Sequence, residues 1–200
     1  MSISPIDELH DRVEKSAKTR FNADRRLLKH AKLSVWTTAF TSIALIAISV
    51  WDALGLTHLQ PKLLISALQI ISSVFILVYS VILSTKDYGV KAKEMHLCGL
   101  ALSDLRLRLY PLLGTAVSLI DYAKYSLEYS EIMAKFPNHE DVDYQRMKIT
   151  HSYYKIDRTI FGHWSDRVMF YYHYCVEFLH YYVVIAIEIG LAYWVITARA

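Results

Sequence analysis

The pattern of apolar and polar positions is dominated by two runs without a charge. Residues 33–51 read LSVWTTAFTSIALIAISVW and residues 63–83 read LLISALQIISSVFILVYSVIL. At 1.5 Å per residue the first run is roughly 28 Å long, about one hydrocarbon core. A buried helix of a soluble protein normally keeps a polar face, and neither run has a strong one. The pattern therefore predicts two membrane-spanning helices, with Trp36 and Trp51 as interfacial anchors. The segment between them, DALGLTHLQPK over residues 52–62, is too short for a domain. Gly55 and Pro61 break the helices there, so the runs form a tight hairpin.

Charge orients the hairpin. Lys18, Arg20, Arg25, Arg26, Lys29 and Lys32 precede the first run, and Lys86, Lys91 and Lys93 follow the second. The loop carries only Lys62. Positive flanks stay inside, which places the N-terminus and most of the chain in the cytoplasm. Residues 1–32 are too charged for a signal peptide, and residues 6–32 read as a basic cytoplasmic helix running into the first span.

A cytoplasmic helical region is expected over residues 84–165. Tyr88, Ala92, Met95, Leu102, Leu105 and Leu109 recur at helical spacing, and Pro111 and Gly114 mark the end. Tyr122, Tyr125, Tyr129, Ile132 and Phe136 then repeat in steps of three and four, a coiled-coil-like seam. Such a stripe is usually core packing; a partner seam or ligand platform is the alternative.

The last stretch is apolar but marked. Residues 170–198 make a third candidate membrane helix that contains His173, Glu177, His180 and Glu188 on one face. Three readings stay open: a spanning helix, ranked first; an interfacial helix; and a buried helix of the cytoplasmic bundle. Ionisable groups inside membranes are costly and tend to be functional, so Glu188 is the leading pore or gating candidate. Ser66, Gln69, Ser73 and Ser80 form a polar stripe on the second span, either interhelical glue or a pore lining. His173, Glu177 and His180 lack a fourth ligand, so no metal is assigned to them.

Composition narrows the function classes. The chain is 54% hydrophobic, with net charge +3 and pI near 8.7. That is too mildly basic to argue for nucleic acid. Cys98 and Cys175 make neither a metal pair nor a disulfide framework. No phosphate-binding, dinucleotide, zinc-protease or nucleophile-elbow motif occurs, and no spacing pairs a nucleophile with a base. The expectation is a protein that is not an enzyme and needs no cofactor. One polar knot remains, KFPNHEDVDYQRM at residues 135–147. Pro137 ends a helix there, and Asn138, Asp141 or Asp143 can cap the next. A metal site at His139 would need further ligands; His151 lies downstream but nothing fixes it nearby.

The order of these features resembles a known family. A basic amphipathic helix, a two-helix membrane hairpin and the motif Ser84-Thr85-Lys86-Asp87-Tyr88 come first. Tyr129-Ser130-Glu131-Ile132 and Pro137-Asn138-His139-Glu140-Asp141-Val142-Asp143-Tyr144 follow. This is similar to the SLATT family, the SMODS- and SLOG-associating two-transmembrane effectors, and most like its fifth subfamily. Pro137 stands where glutamate is usual. The resemblance covers residues 10–190 and implies a single all-α unit over 1–200. It implies a bacterial conflict-system effector of antiviral type in the inner membrane. Such a chain would oligomerise and form a pore on a nucleotide-linked signal, with membrane lipid, copies of itself and a nucleotide-synthase-linked partner around it. Asn138, His139, Asp143 and Tyr144 would be a structural or signal-coupling motif. The competing expectation is a membrane-anchored sensor or scaffold that binds a partner through its cytoplasmic helices and makes no pore.

Overall fold

The computed structural model describes residues 4–56, 62–150 and 160–197. Among the described residues six helices follow in order: α1 (Pro5–Ala53), α2 (Lys62–Ser84), α3 (Tyr88–Leu109), α4 (Leu119–Lys135), α5 (Asp141–Thr150) and α6 (Ile160–Thr197). A short 3-10 turn, Tyr110–Leu112, follows α3. No strand occurs among the described residues, so the protein is all-α.

The basic helix and the first apolar run are one helix, α1, with no break at the change of polarity. Gly55 takes φ +70° just past its end, a conformation that favours glycine at a helix terminus. The rest of the hairpin loop, 57–61, lies outside the described residues. The apolar spacing predicts a helix from Lys86 to about Leu113, directly after the second span. Instead the chain turns at 85–87, Asp87 adopts φ 48°, and α3 begins at Tyr88. Single Asp residues tolerate this left-handed region better than most. Ser118 caps α4 by accepting a hydrogen bond from the Asp121 backbone N–H at 3.1 Å.

The chain divides into two compact units. The first comprises Met1–Leu28 and Tyr88–Tyr174, the second Lys29–Asp87 and Cys175–Ala200. In the first, Ile6, Leu9, Val13 and Ala17 of α1 bury against Cys98, Leu102, Leu105 and Leu109 of α3. A second cluster joins Ala23 and Leu27 to Ala92 and Met95. The seam residues Tyr122, Tyr125, Tyr129, Ile132 and Phe136 pack half-buried on the first cluster. The Tyr129 hydroxyl meets Ser16 Oγ at 3.0 Å. These side chains pack within the fold, the use that an aromatic stripe of this spacing usually has. Cys98 is fully buried, and burial pushes its thiol pKa up.

Helix lengths and apolarity frame the second unit. Pro5–Ala53, Leu63–Leu112 and Trp164–Thr197 each contain helix long and apolar enough to cross a membrane. In the second of these stretches the uncharged part is α2. The C-terminal candidate is thus a single helix of spanning length.

Gly99 allows α1 and α3 to approach closely. A Cβ built there would lie 2.8 Å from the Phe21 ring. Helix propensity alone favours replacing a helical glycine by about 1 kcal/mol, so the contact decides the sign. Gly99→Leu is expected to destabilise the protein by about 1–3 kcal/mol through overpacking. Phe21→Ala in the same chain should recover part of that loss in thermal unfolding of the detergent-purified protein.

Candidate functional site

The polar motif is built onto α1. Along this helix Ile6, Leu9, Val13, Ala17, Arg20, Ala23, Leu27 and His30 recur in steps of three and four, and all are buried. Arg20 therefore stands on a core-facing stripe, and Arg26, beside that series, is buried as well. Arg26 is the better paired. Its Nε donates to Asp143 Oδ1 at 2.9 Å and its Nη2 to Oδ2 at 3.0 Å. Nη1 lies 3.2 Å from exposed Glu140. Asn22 donates to the Asp143 carbonyl at 3.3 Å. Asp143 is 2% exposed, so this bidentate pair is almost fully withdrawn from water.

Arg20 holds the front of the same segment. Its guanidinium donates to the Pro137 carbonyl and lies against the sulfurs of Met95 and Met133. Pro137 lies just past the end of α4, where carbonyls carry the negative end of the helix dipole and suit a cation. Arg20 and Arg26 thus pin residues 137–143 from one side.

Capping differs from the sequence expectation. Helix α5 starts at Asp141, so Glu140 occupies the cap position. Asp143 Oδ2 accepts from the Glu140 backbone N–H at 3.3 Å, the back-reaching half of a capping box. Asn138 accepts from the His139 N–H at 2.9 Å, holding the turn ahead of the helix. His139 borders two cavities of about 280 and 290 Å³. Its Nδ1 is buried without a partner, and its ring lies 6.4 Å from Tyr144. Burial and the Arg20 charge lower its pKa, against weaker opposing pulls from Asp143 and Asp141. Among the described residues, no group of three or more His, Cys, Asp or Glu is placed to hold a metal ion. His151 lies outside them.

In the second unit an anchor appears that the sequence reading did not single out. His30 is buried, with Nε2 2.7 Å from Glu177 and Nδ1 3.1 Å from the Tyr181 hydroxyl. Its ring stacks on Phe178 at 4.2 Å, and Lys29 sits over the same ring. This joins α1 to α6. Glu177, expected in a polar stripe, is bound to His30; His173 and His180 are exposed.

Seven residues on from His30 and from Tyr181 stand Thr37 and Glu188, both buried. Seven residues of helix rise about 10 Å, so the two share a level above the anchor. Among the described residues, Thr37 Oγ1 and Glu188 Oε2 have no hydrogen-bond partner. Gln69 Nε2 is also buried and unpartnered. It stands eleven residues, about 16 Å, along α2 from Ser80. Ser73 and Ser80 donate to their own helix carbonyls at 2.8 Å. Ser66 and Ser73 are exposed and Ser80 half-buried, so the four-residue stripe is not one buried face.

A protein-family model, the SMODS and SLOG-associating 2TM effector domain family 5, matches residues 2–194. No curated protein and no solved structure matches the chain. The match covers nearly the whole length, and the chain belongs to this family.

Removing one partner of a buried ion pair strands the other charge. Arg26→Met or Asp143→Leu alone is expected to cost about 3–5 kcal/mol in unfolding free energy, and the double variant distinctly less than the sum. A second expectation concerns pH. With its folded pKa below the ordinary 6.5, His139 takes up its proton more readily when unfolded. Its contribution to stability is complete above the unfolded value and falls away as the pH drops from there through the folded value. Thermal unfolding between pH 7.5 and 5 should show a loss that His139→Gln reduces.

Proposed function

We propose that this SLATT-family chain is a bacterial conflict-system effector that oligomerises in the inner membrane and opens a pore. The trigger is a nucleotide-linked cytoplasmic signal, delivered through a nucleotide-synthase-linked partner, and the outcome is death or arrest of the cell. The N-terminus is cytoplasmic in this reading. The protein performs no catalysis, takes no cofactor and binds no nucleic acid. Family membership supports the effector role, and the apolar helices support the membrane.

One observation carries the pore over a mere anchor. Thr37, Gln69 and Glu188 bury polar atoms without partners in helices of spanning length. An anchor needs none of these groups, and each is costly in hydrocarbon. They suit a bundle that at some stage admits water. The seam named for the scaffold alternative packs half-buried on the core of the first unit.

The test is membrane depolarisation on induced expression with the signalling partner present. The intact chain is expected to depolarise cells. Glu188→Leu is expected to abolish this, and Gln69→Leu to reduce it, at equal protein level and membrane insertion. Insertion of the intact chain without depolarisation would support the scaffold instead.

A further inference from the structure

Between α1 and α2, within the second unit, lies an open groove of about 420 Å³. Ser34, Thr38 and Ser42 line one side and Ser80, Leu83 and Ser84 the other, with Val35 and Ala39 completing it. Its chemistry is less polar than its residue names. The hydroxyls of Ser34, Thr38, Ser42, Ser80 and Ser84 donate to carbonyls of their own helices at 2.8–2.9 Å. Their protons are turned away from the groove. What remains is a shallow trough of small side chains walled by Val35 and Leu83, suited to a hydrocarbon chain rather than to an ion or a polar solute.

The mouth has the opposite character. Ser34 and Ser84 line the same groove, and two residues beyond each, on the polar side, stands a lysine. Lys32 and Lys86 are both exposed. Neither makes an ion pair among the described residues. Asp87 is the one acid beside them in sequence, which leaves the mouth net positive. Basic residues at the end of a cleft between membrane helices suit an anionic lipid headgroup.

We propose that this groove is a binding site for one anionic phospholipid, with an acyl chain along Val35, Ala39 and Leu83 and the phosphate between Lys32 and Lys86. The inference rests on the membrane reading of this unit, though not on pore formation. The lipid fills a space that α1 and α2 leave open. A change in their packing must therefore displace the lipid or carry it along.

The test uses the full chain in nanodiscs and in detergent. Thermal stability and native mass spectra are recorded with phosphatidylglycerol, with phosphatidylcholine and with inorganic phosphate. At about 1 kcal/mol per lysine, phosphatidylglycerol should bind on the order of ten- to thirty-fold more tightly than phosphatidylcholine. Free phosphate should give no shift. Lys32→Gln with Lys86→Gln should remove the preference while retaining phosphatidylcholine binding. Ala39→Leu, which fills the groove from an exposed helical position and leaves the charges in place, should lower binding of both lipids. Equal affinity for the two lipids would overturn the proposal. So would a preference that survives the lysine changes, or binding that ignores Ala39→Leu, which would mean diffuse surface attraction. A chain absent from the membrane fraction would instead contradict the membrane reading.

Discussion

Arg26 carries a full charge at a position that is 4% exposed, and Asp143 makes that tolerable. An isolated guanidinium there would cost several kcal/mol; a bidentate carboxylate offsets most of the penalty. The pairing fixes more than one side chain. The same carboxylate holds the start of α5, and Asn22 holds the carbonyl of the same residue. With Arg20 on the Pro137 carbonyl, the whole turn between α4 and α5 is set by α1. Helix α1 also supplies one side of the apolar core. The segment 137–143 is thus a docking element whose acid, Asp143, binds a buried base on the first helix.

The second unit rests on a different balance. There the His30 contacts to Glu177 and Tyr181 set the register of α6 on α1. Above that anchor the helices present mainly apolar faces, interrupted by a few polar atoms without partners. A bundle built only for anchoring would lose nothing by replacing Thr37, Gln69 and Glu188 with aliphatic residues. Their presence is the physical reason for reading the unit as a device with a second, wetter arrangement. The back-bonded serines beside them are compatible with lipid contact, since their protons are already satisfied within their own helices.

Much of the fold was legible in the pattern of the chain. Uncharged runs gave the first two apolar helices, and the three-four spacing of Tyr122 through Phe136 gave α4. The break at Asp87 was not legible, because Ser84 to Tyr88 carries neither Gly nor Pro. The site was harder. In the sequence Arg20 and Arg26 stand as flanking charges that orient a hairpin, and nothing local reveals partners more than a hundred residues away. The available signal was their spacing: Arg20 and His30 fall on the same stripe as Val13, Ala17 and Leu27. A charged residue on an apolar stripe asks for a partner: Arg20 finds the Pro137 carbonyl and His30 finds Glu177, while Asp143 of the acidic knot pairs with Arg26 beside the stripe. Asn138, Asp141 and Asp143 are all capping residue types; Asp143 serves as the third helical residue, accepting from the Glu140 N–H while it binds Arg26.

Under the proposed function the membrane unit conducts. The most direct measurement is the current across a planar bilayer containing the purified chain, with its oligomeric state followed in parallel. The account predicts discrete conductance steps that Glu188→Leu suppresses without changing the assembly. A bilayer that stays electrically silent while holding assembled protein, under every signal supplied, would contradict it.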